Sequence, residues 1–202
     1  ILSRLTGLIM KQTHTVSLKL IIFTVVNWSL KVYLPPQTEL HQGNSLDHEV
    51  EVLIATSTWL SIEDGFIEQL YTISNPVTVV YYMLVADNMI PEKAKKNWVS
   101  IADTKQKGPN GSILQYGVQR LQWKIEYTNI VYSLLPNEFT LGELQHVYEA
   151  ILNRPLDKRN FRKKILSLGM LKDSFRKKTL GRARPAEVYS FKDRKPTIVE
   201  IL

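Results

Sequence analysis

The densest chemistry in the chain is a block of cations near its carboxyl end. Lys158-Arg159-Asn160-Phe161-Arg162-Lys163-Lys164 sets five positive side chains and one carboxamide around a single phenyl ring. A guanidinium donates in pairs to a guanine edge, a carboxamide matches adenine, and an ammonium neutralises a phosphate. At about 100° per residue of helix, Arg159 and Lys163 share one face, flanked by Arg162, Asn160 and Ser167. Phe161, Ile165 and Leu168 share the opposite face, so the greasy side anchors and the cationic side meets solvent or a polyanion. Leu166 falls on the outer half and interrupts the pattern. A second basic stretch follows, with Lys178 and the tip Gly181-Arg182-Ala183-Arg184-Pro185.

Other chemistry is sparse. His41, Asp47, His48 and Glu49 form the one cluster of metal-ligand types, but only alternate members can converge, and a polar loop is the simpler reading. No His stands near a Ser and an Asp in a triad-like arrangement, and no phosphate-cradling glycine loop occurs. Trp28, Trp59, Trp98 and Trp123 read as packing residues, one of which could stack on a base or sugar ring.

The elements that must position these groups begin with Thr140 and Glu143, spaced as a capping box. They open a helix carrying Leu141, Leu144, Val147, Tyr148, Ile151 and Leu152 on one face. Asn153-Arg154-Pro155-Leu156 forces a turn, Asp157 caps a second helix over the cationic block, and Gly169 ends it. Met170-Leu171-Lys172 reads as a short strand, Ser174 to Lys178 as polar and basic, and Val188-Tyr189-Ser190-Phe191 as a returning strand. Helix, turn, helix and basic hairpin make a winged helix-turn-helix, with its second helix suited to a major groove.

Upstream, Val16 to Val26 and Leu30 to Leu34 read as a hairpin about Asn27-Trp28-Ser29, closed by Pro35-Pro36. Phe66 to Ile73 and Val77 to Val85 form a second pair about Ser74-Asn75-Pro76. Between the pairs, Leu46 to Leu60 has room for a helix. Residues 87–112 read as loop, with the breaker run Gly108-Pro109-Asn110-Gly111-Ser112 and a short element near Trp98 to Ile101. Leu114, Val118, Leu121, Ile125 and Tyr132 then predict an amphipathic connector helix of roughly 20 residues, ending near Leu135-Pro136.

Charge follows the same division. Residues 1–129 carry 11 Lys+Arg and 11 Asp+Glu, whereas residues 130–202 carry 15 and 8, the whole of the +7 excess. A neutral module joined to a basic one is expected to meet a polyanion. The absence of cysteine excludes disulfide scaffolds, thiolate zinc sites and thiol catalysis. It fits a reducing compartment, and a cytoplasmic location is expected. No run approaches the ~18 apolar residues of a membrane span, since Lys19, Asn27 and Lys31 interrupt the longest one. The opening Ile1 to Leu5 stretch is too short for a secretory signal, and Met10 is a plausible start of the folded part.

The run Leu134 to Gln145, then Tyr148-Glu149-Ala150-Ile151-Leu152, then Leu156 to Lys164, resembles the DNA-binding module of Nudix-related transcriptional regulators. Arg184-Pro185-Ala186-Glu187-Val188-Tyr189-Ser190-Phe191 resembles the wing of the same family, and the likeness covers roughly residues 115–192. Leu18 to Leu34 and Glu68 to Thr72 are similar to the family's Nudix-like sensor domain. The resemblance implies an α+β fold: a Nudix-like α/β/α sandwich at 10–112, a connector helix at 113–133 and a winged helix at 134–192.

The hydrolase signature of Nudix enzymes needs a Gly-Gly turn and a helix with an Arg-Glu pair and further glutamates that bind divalent metal. Laid on Ser45 to Leu60, that helix carries Val52, Leu53, Ile54, Ala55, Thr56 and Ser57 where the charged block belongs. Glu49 and Glu51 lie about 200° apart; Asp47 and Glu51 are one turn apart but early. The Phe-Asp-His stretch expected before the connector is also missing. The expectation is therefore a regulator without a catalytic centre, metal or cofactor. Lys158, Arg159, Asn160, Arg162 and Lys163 would meet the major groove, and Lys178, Arg182 and Arg184 the backbone or minor groove. The implied partners are an operator duplex, a second copy in a homodimer, and a nucleotide-sugar or sugar-phosphate effector in the sensor. Two alternatives stand beside it: a hydrolase of nucleoside diphosphate derivatives such as ADP-ribose with accessory DNA binding, and a protein-binding adaptor.

Overall fold

A computed structural model describes residues 15–41, 43–104, 109–179 and 185–201. The expected folded start at Met10 and the tip residues Arg182 and Arg184 lie outside the described residues. Strand β1 (Ser17–Val26) turns back through Asn27 and Trp28, both with positive φ, into β2 (Ser29–Tyr33). Two such residues in succession match the turn geometry whose twist suits a tight hairpin. A two-residue strand, β3 (Thr38–Glu39), also pairs with β1. After helix α1 (Leu46–Ser57), the long strands β4 (Gly65–Ser74) and β5 (Val77–Val85) form the second hairpin. β5 runs parallel to β1, and β6 (Val99–Ser100) closes the far edge beside β2. The sheet order is β4-β5-β1-β2-β6.

Alternation along the central strands supplies two cores, as a sheet covered on both faces requires. Leu18, Leu20, Ile22, Val79, Met83 and Val85 face α1 through Val50, Leu53 and Ile54. Ile21, Phe23, Val80, Tyr82 and Leu84 face the other way, toward helix α2 (Pro109–Tyr127) and its Leu114, Leu121 and Ile125. The first module is thus the expected α/β/α sandwich.

Helix α2 departs from expectation at both ends. Its first turn is built from Pro109, Asn110 and Gly111, part of the run read as a loop. Proline suits a first turn because its missing amide would have no intrahelical acceptor there. The buried Lys19 on β1 donates to the Asn110 side chain and ties this turn to the sheet. At its other end α2 stops at Tyr127, short of Tyr132 and Leu135. Thr128 donates back to the Lys124 carbonyl at 2.6 Å, and Asn129 leaves the helix to bond Lys195 and Thr197 far along the chain. A 3-10 segment, Ile130–Leu134, with every residue buried, continues from there.

The second module contains β7 (Phe139–Thr140), α3 (Leu141–Leu152), α4 (Lys158–Ser167), β8 (Leu171–Lys178) and β9 (Ala186–Phe191). The three strands form a small sheet of order β7-β9-β8. β8 extends past the expected Met170 to Lys172 because Lys177 and Lys178 of the basic stretch also pair with β9, across an irregularity between Asp173 and Lys177. The apolar core passes without a break from the sheet through α2 into Leu144, Tyr148, Phe161 and Ile165.

Residues 193–201 also take part. Arg194 donates to the carbonyls of Tyr132 and Leu135, and burial lowers its pKa. Val199 and Ile201 bond through their amides to the Tyr127 and Glu126 carbonyls at the end of α2.

Candidate nucleic-acid interface

The helix-turn-helix is assembled by side-chain caps. Thr140 Oγ1 accepts from the Glu143 amide at 3.1 Å, and Glu143 Oε2 accepts from the Thr140 amide at 2.7 Å, completing the reciprocal box. Asn153, with φ 52°, ends α3 in the left-handed region that asparagine tolerates. Asp157 Oδ1 accepts from the Asn160 amide at 2.7 Å and starts α4. Gly169, with φ 63°, ends it.

The angle between the two helices is held by Gln145 and Glu149. Glu149 Oε1 accepts from the Leu156 amide at 2.9 Å, and Gln145 Nε2 donates to the Leu156 carbonyl at 3.0 Å. Burial pushes the Glu149 carboxyl up, but the bonds from Leu156, Gln145 and His146 hold it below its ordinary range. The sequence reading missed this brace, although the i, i+4 spacing of Gln145 and Glu149 carries its signal.

On α4, Phe161 and Ile165 are buried and Leu166 is exposed, as the helical phase requires. Lys158, Arg159, Asn160 and Lys163 are exposed. Among the described residues, Arg159 and Lys163 have no acidic partner. Asn160 also borders an open cavity of about 180 Å³, lined in part by Ile201.

Two expected groups sit differently. Arg162 is half-buried, and its Nε is enclosed without a hydrogen-bond partner among the described residues. It is therefore less open to solvent than Arg159 and Lys163. Lys178 is bound to Glu143 Oε1 at 2.7 Å, across to the start of α3. Burial pushes the Glu143 carboxyl up, and the Lys178 and Thr140 bonds outweigh it and hold the carboxyl low. Arg176 is likewise paired with Glu138. Lys172 and Lys177, which the sequence reading did not single out, remain exposed and unpaired among the described residues.

Besides the shared apolar core, the first module meets the second through an aromatic contact. The Trp28 indole, on the β1–β2 turn, lies 4.6 Å from the His146 ring on α3, and His146 Nδ1 is 3.1 Å from Glu149. Gln122 of α2 donates to the Ile151 carbonyl at 2.9 Å. Around these contacts opens a cleft of about 590 Å³ lined by Trp28, Ser100, Gln122, His146 and Arg154. Trp98 is buried, whereas Trp28 and Trp123 are half-exposed.

The His41 cluster does a structural job. Glu49, buried on α1, accepts from Asn44 Nδ2 at 2.6 Å and lies 3.1 Å from His41 Nδ1, which binds the preceding loop to the helix. These bonds from Asn44 and His41 hold its carboxyl low. Among the described residues, no three His, Asp or Glu side chains gather where they could hold a metal ion, and no helix is long and apolar enough to cross a membrane.

A covered mixed sheet, a long connecting helix and a winged helix with an unpaired cationic face define a Nudix-like protein with a linked winged helix. Residues 131–191 match the NrtR DNA-binding winged helix domain family. The chain is 31% identical over 145 residues to the ADPR responsive transcriptional repressor NtrR of Acinetobacter baylyi, a match covering 64% of this chain and 58% of that protein. The match therefore spans less than two thirds of that relative's length.

Shewanella oneidensis NrtR, in its structure with a 27mer DNA, superposes with a TM-score of 0.76 at 26% identity over 88% of this chain and 93% of that one. A MutT/nudix family protein from Enterococcus faecalis shares the fold, with a TM-score of 0.65 at 18% identity over 91% and 90% of the two chains. The second module thus matches the NrtR winged-helix domain family, and the two modules together have the fold of the NrtR structures, a Nudix-like sandwich followed by a winged helix.

Proposed function

We propose that the chain is a sequence-specific DNA-binding transcriptional regulator whose α4 enters the major groove. The observation that carries this reading is the exposed pair Arg159 and Lys163, without acidic partners among the described residues, set over the buried Phe161 and Ile165 of an NrtR-type winged helix. Arg159 and Asn160 read base edges, while Lys158 and Lys163 hold phosphate. Arg182 and Arg184 add backbone or minor-groove contacts from the wing tip, and Lys178 stays with Glu143.

One winged helix covers few base pairs, so the chain acts as a homodimer on a pseudo-palindrome with half-sites a whole number of helical turns apart. The sandwich expected at 10–112 takes α2 as its second helical layer in place of a free connector at 113–133, and the winged helix at 134–192 follows, with residues 193–201 as a brace. The sandwich receives an ADP-ribose-like nucleotide effector, in keeping with the relative described as ADPR responsive, and does not hydrolyse it. The protein works in the cytoplasm, where its operator is.

The test is selection of duplexes from a random-sequence pool by the full chain. A two-fold symmetric motif is expected, lost in Arg159→Ala and weakened by ADP-ribose. A wild-type chain that retains no duplex at low salt refutes the reading. Turnover of ADP-ribose with Mg²⁺ that disappears in Asp47→Ala or Glu51→Ala would establish the hydrolase instead.

A further inference from the structure

The most exposed apolar side chain on the second module is in its wing. Phe175, in the middle of β8, is 92% exposed. Its φ is 56°, the left-handed region that a bulky side chain rarely adopts. The chain holds it there with local bonds. Asp173 Oδ1 accepts from the Phe175 amide at 2.7 Å, and Ser174 Oγ accepts from the Arg176 amide at 3.3 Å while donating to the Val188 carbonyl of β9 at 2.8 Å. The register between β8 and β9 is interrupted at this point, so the ring is raised out of the ladder.

Its surroundings indicate what it meets. Arg176 and Lys178 are drawn back to Glu138 and Glu143, while the exposed Lys172 and Lys177, three residues before the ring and two after it, are unpaired among the described residues. Asp173, two residues before it, is paired with Tyr189 on β9, whose ring shares the core with Phe161 and Ile165 of α4. An apolar ring flanked by free cations matches a surface that alternates phosphate with sugar and base. A duplex supplies phosphates for the cations and an apolar sugar or base face for the ring.

We propose that Phe175 is a DNA-contacting residue that packs its ring against deoxyribose or wedges at a base step beside the groove occupied by α4. Side chains of this type open flexible pyrimidine–purine steps and favour sequences that deform cheaply. Phe175 thus adds selectivity at positions that α4 does not read. This inference rests on the DNA-binding reading above.

The test uses the full chain and the duplex enriched by the wild type, with 2-aminopurine placed in turn across the flanks of the motif. Stacking contacts of this kind carry an effect on the order of tenfold in affinity. Phe175→Ala is expected to weaken binding about tenfold with an unchanged salt slope, because no phosphate contact is lost. The wild type, but not Phe175→Ala, is expected to change 2-aminopurine fluorescence at one flank, and Phe175→Trp to bind within about threefold of wild type. If wild type retains no duplex, the DNA-binding reading itself fails. If wild type binds and Phe175→Ala binds equally, with the same fluorescence profile, the role of Phe175 is overturned. Light scattering that shows Phe175→Ala losing a dimer present in the wild type without DNA also overturns it, in favour of self-association.

Discussion

Removing one lysine from α4 and another from β8 should affect DNA binding unequally, although each takes away one charge. Lys163 is exposed with no acidic partner among the described residues, whereas Lys178 lies 2.7 Å from the Glu143 carboxylate. A cation that neutralises a phosphate releases condensed counterions, and each such contact contributes about 0.9 to the slope of log affinity against log salt. Between 50 and 200 mM salt that slope corresponds to about 3.5-fold in affinity. Lys163→Ala is therefore expected to bind more weakly at low salt and to lose about 3.5-fold less than wild type across that range. Lys178→Ala should leave the slope unchanged, since its charge is already matched and its longer-range field is screened beyond about 10 Å. Fluorescence anisotropy of a labelled duplex at four or five salt concentrations reads both slopes. Equal slope changes for the two variants would refute the assignment of free and engaged cations.

Other outcomes follow from the caps and the core. Thr140→Ala should cost about 1 kcal/mol of stability through the lost N-cap, measured as the urea midpoint shift at constant m-value. Glu143 has a folded pKa below its unfolded value, so its stabilisation is full above the unfolded pKa of about 4.3 and is lost as pH falls through the folded one. The stability gap between wild type and Glu143→Gln should accordingly narrow in acid, which denaturant titrations at a series of pH values would show. Ile165→Ala empties a fully buried site on α4 and should cost about 2–5 kcal/mol, seen as loss of thermal stability. Because one apolar core spans both modules, calorimetry should record a single transition with equal calorimetric and van't Hoff enthalpies, and two resolved transitions would contradict it.

What could be read from the sequence was local. The Thr140–Glu143 box, the Asp157 cap, the Gly169 stop and the phase of Phe161 and Ile165 are decided within a turn of helix, and each is where the spacing put it. The hairpin about Asn27-Trp28 was legible for the same reason. The end of α2 was not, because apolar spacing continues to Tyr132 while the partners that draw Asn129 away stand at Lys195 and Thr197. The start of α2 was hidden by composition, since Pro109 and Gly111 read as breakers until Lys19 supplies the anchor for Asn110. On α4, helical phase was enough to expose Arg159 and Lys163, but tertiary neighbours decided that Arg162 is half-buried and that Lys178 pairs with Glu143. Phe175 escaped notice because its neighbours are polar and its exposure depends on a backbone twist that spacing does not encode.

The segment from Arg194 to Ile201 works as a tie-rod of fixed length. One part is fastened to the last carbonyls of the long helix, and the buried Ile201 side chain sits beside the first turn of α4. A torque on the sandwich would reach α4 by two routes, through the packed interior and along this outer strut. The two routes constrain each other, so α4 can swing as a lever only if the whole frame turns with it. Shortening the chain at residue 193 would cut the strut and leave α4 steered by the interior alone.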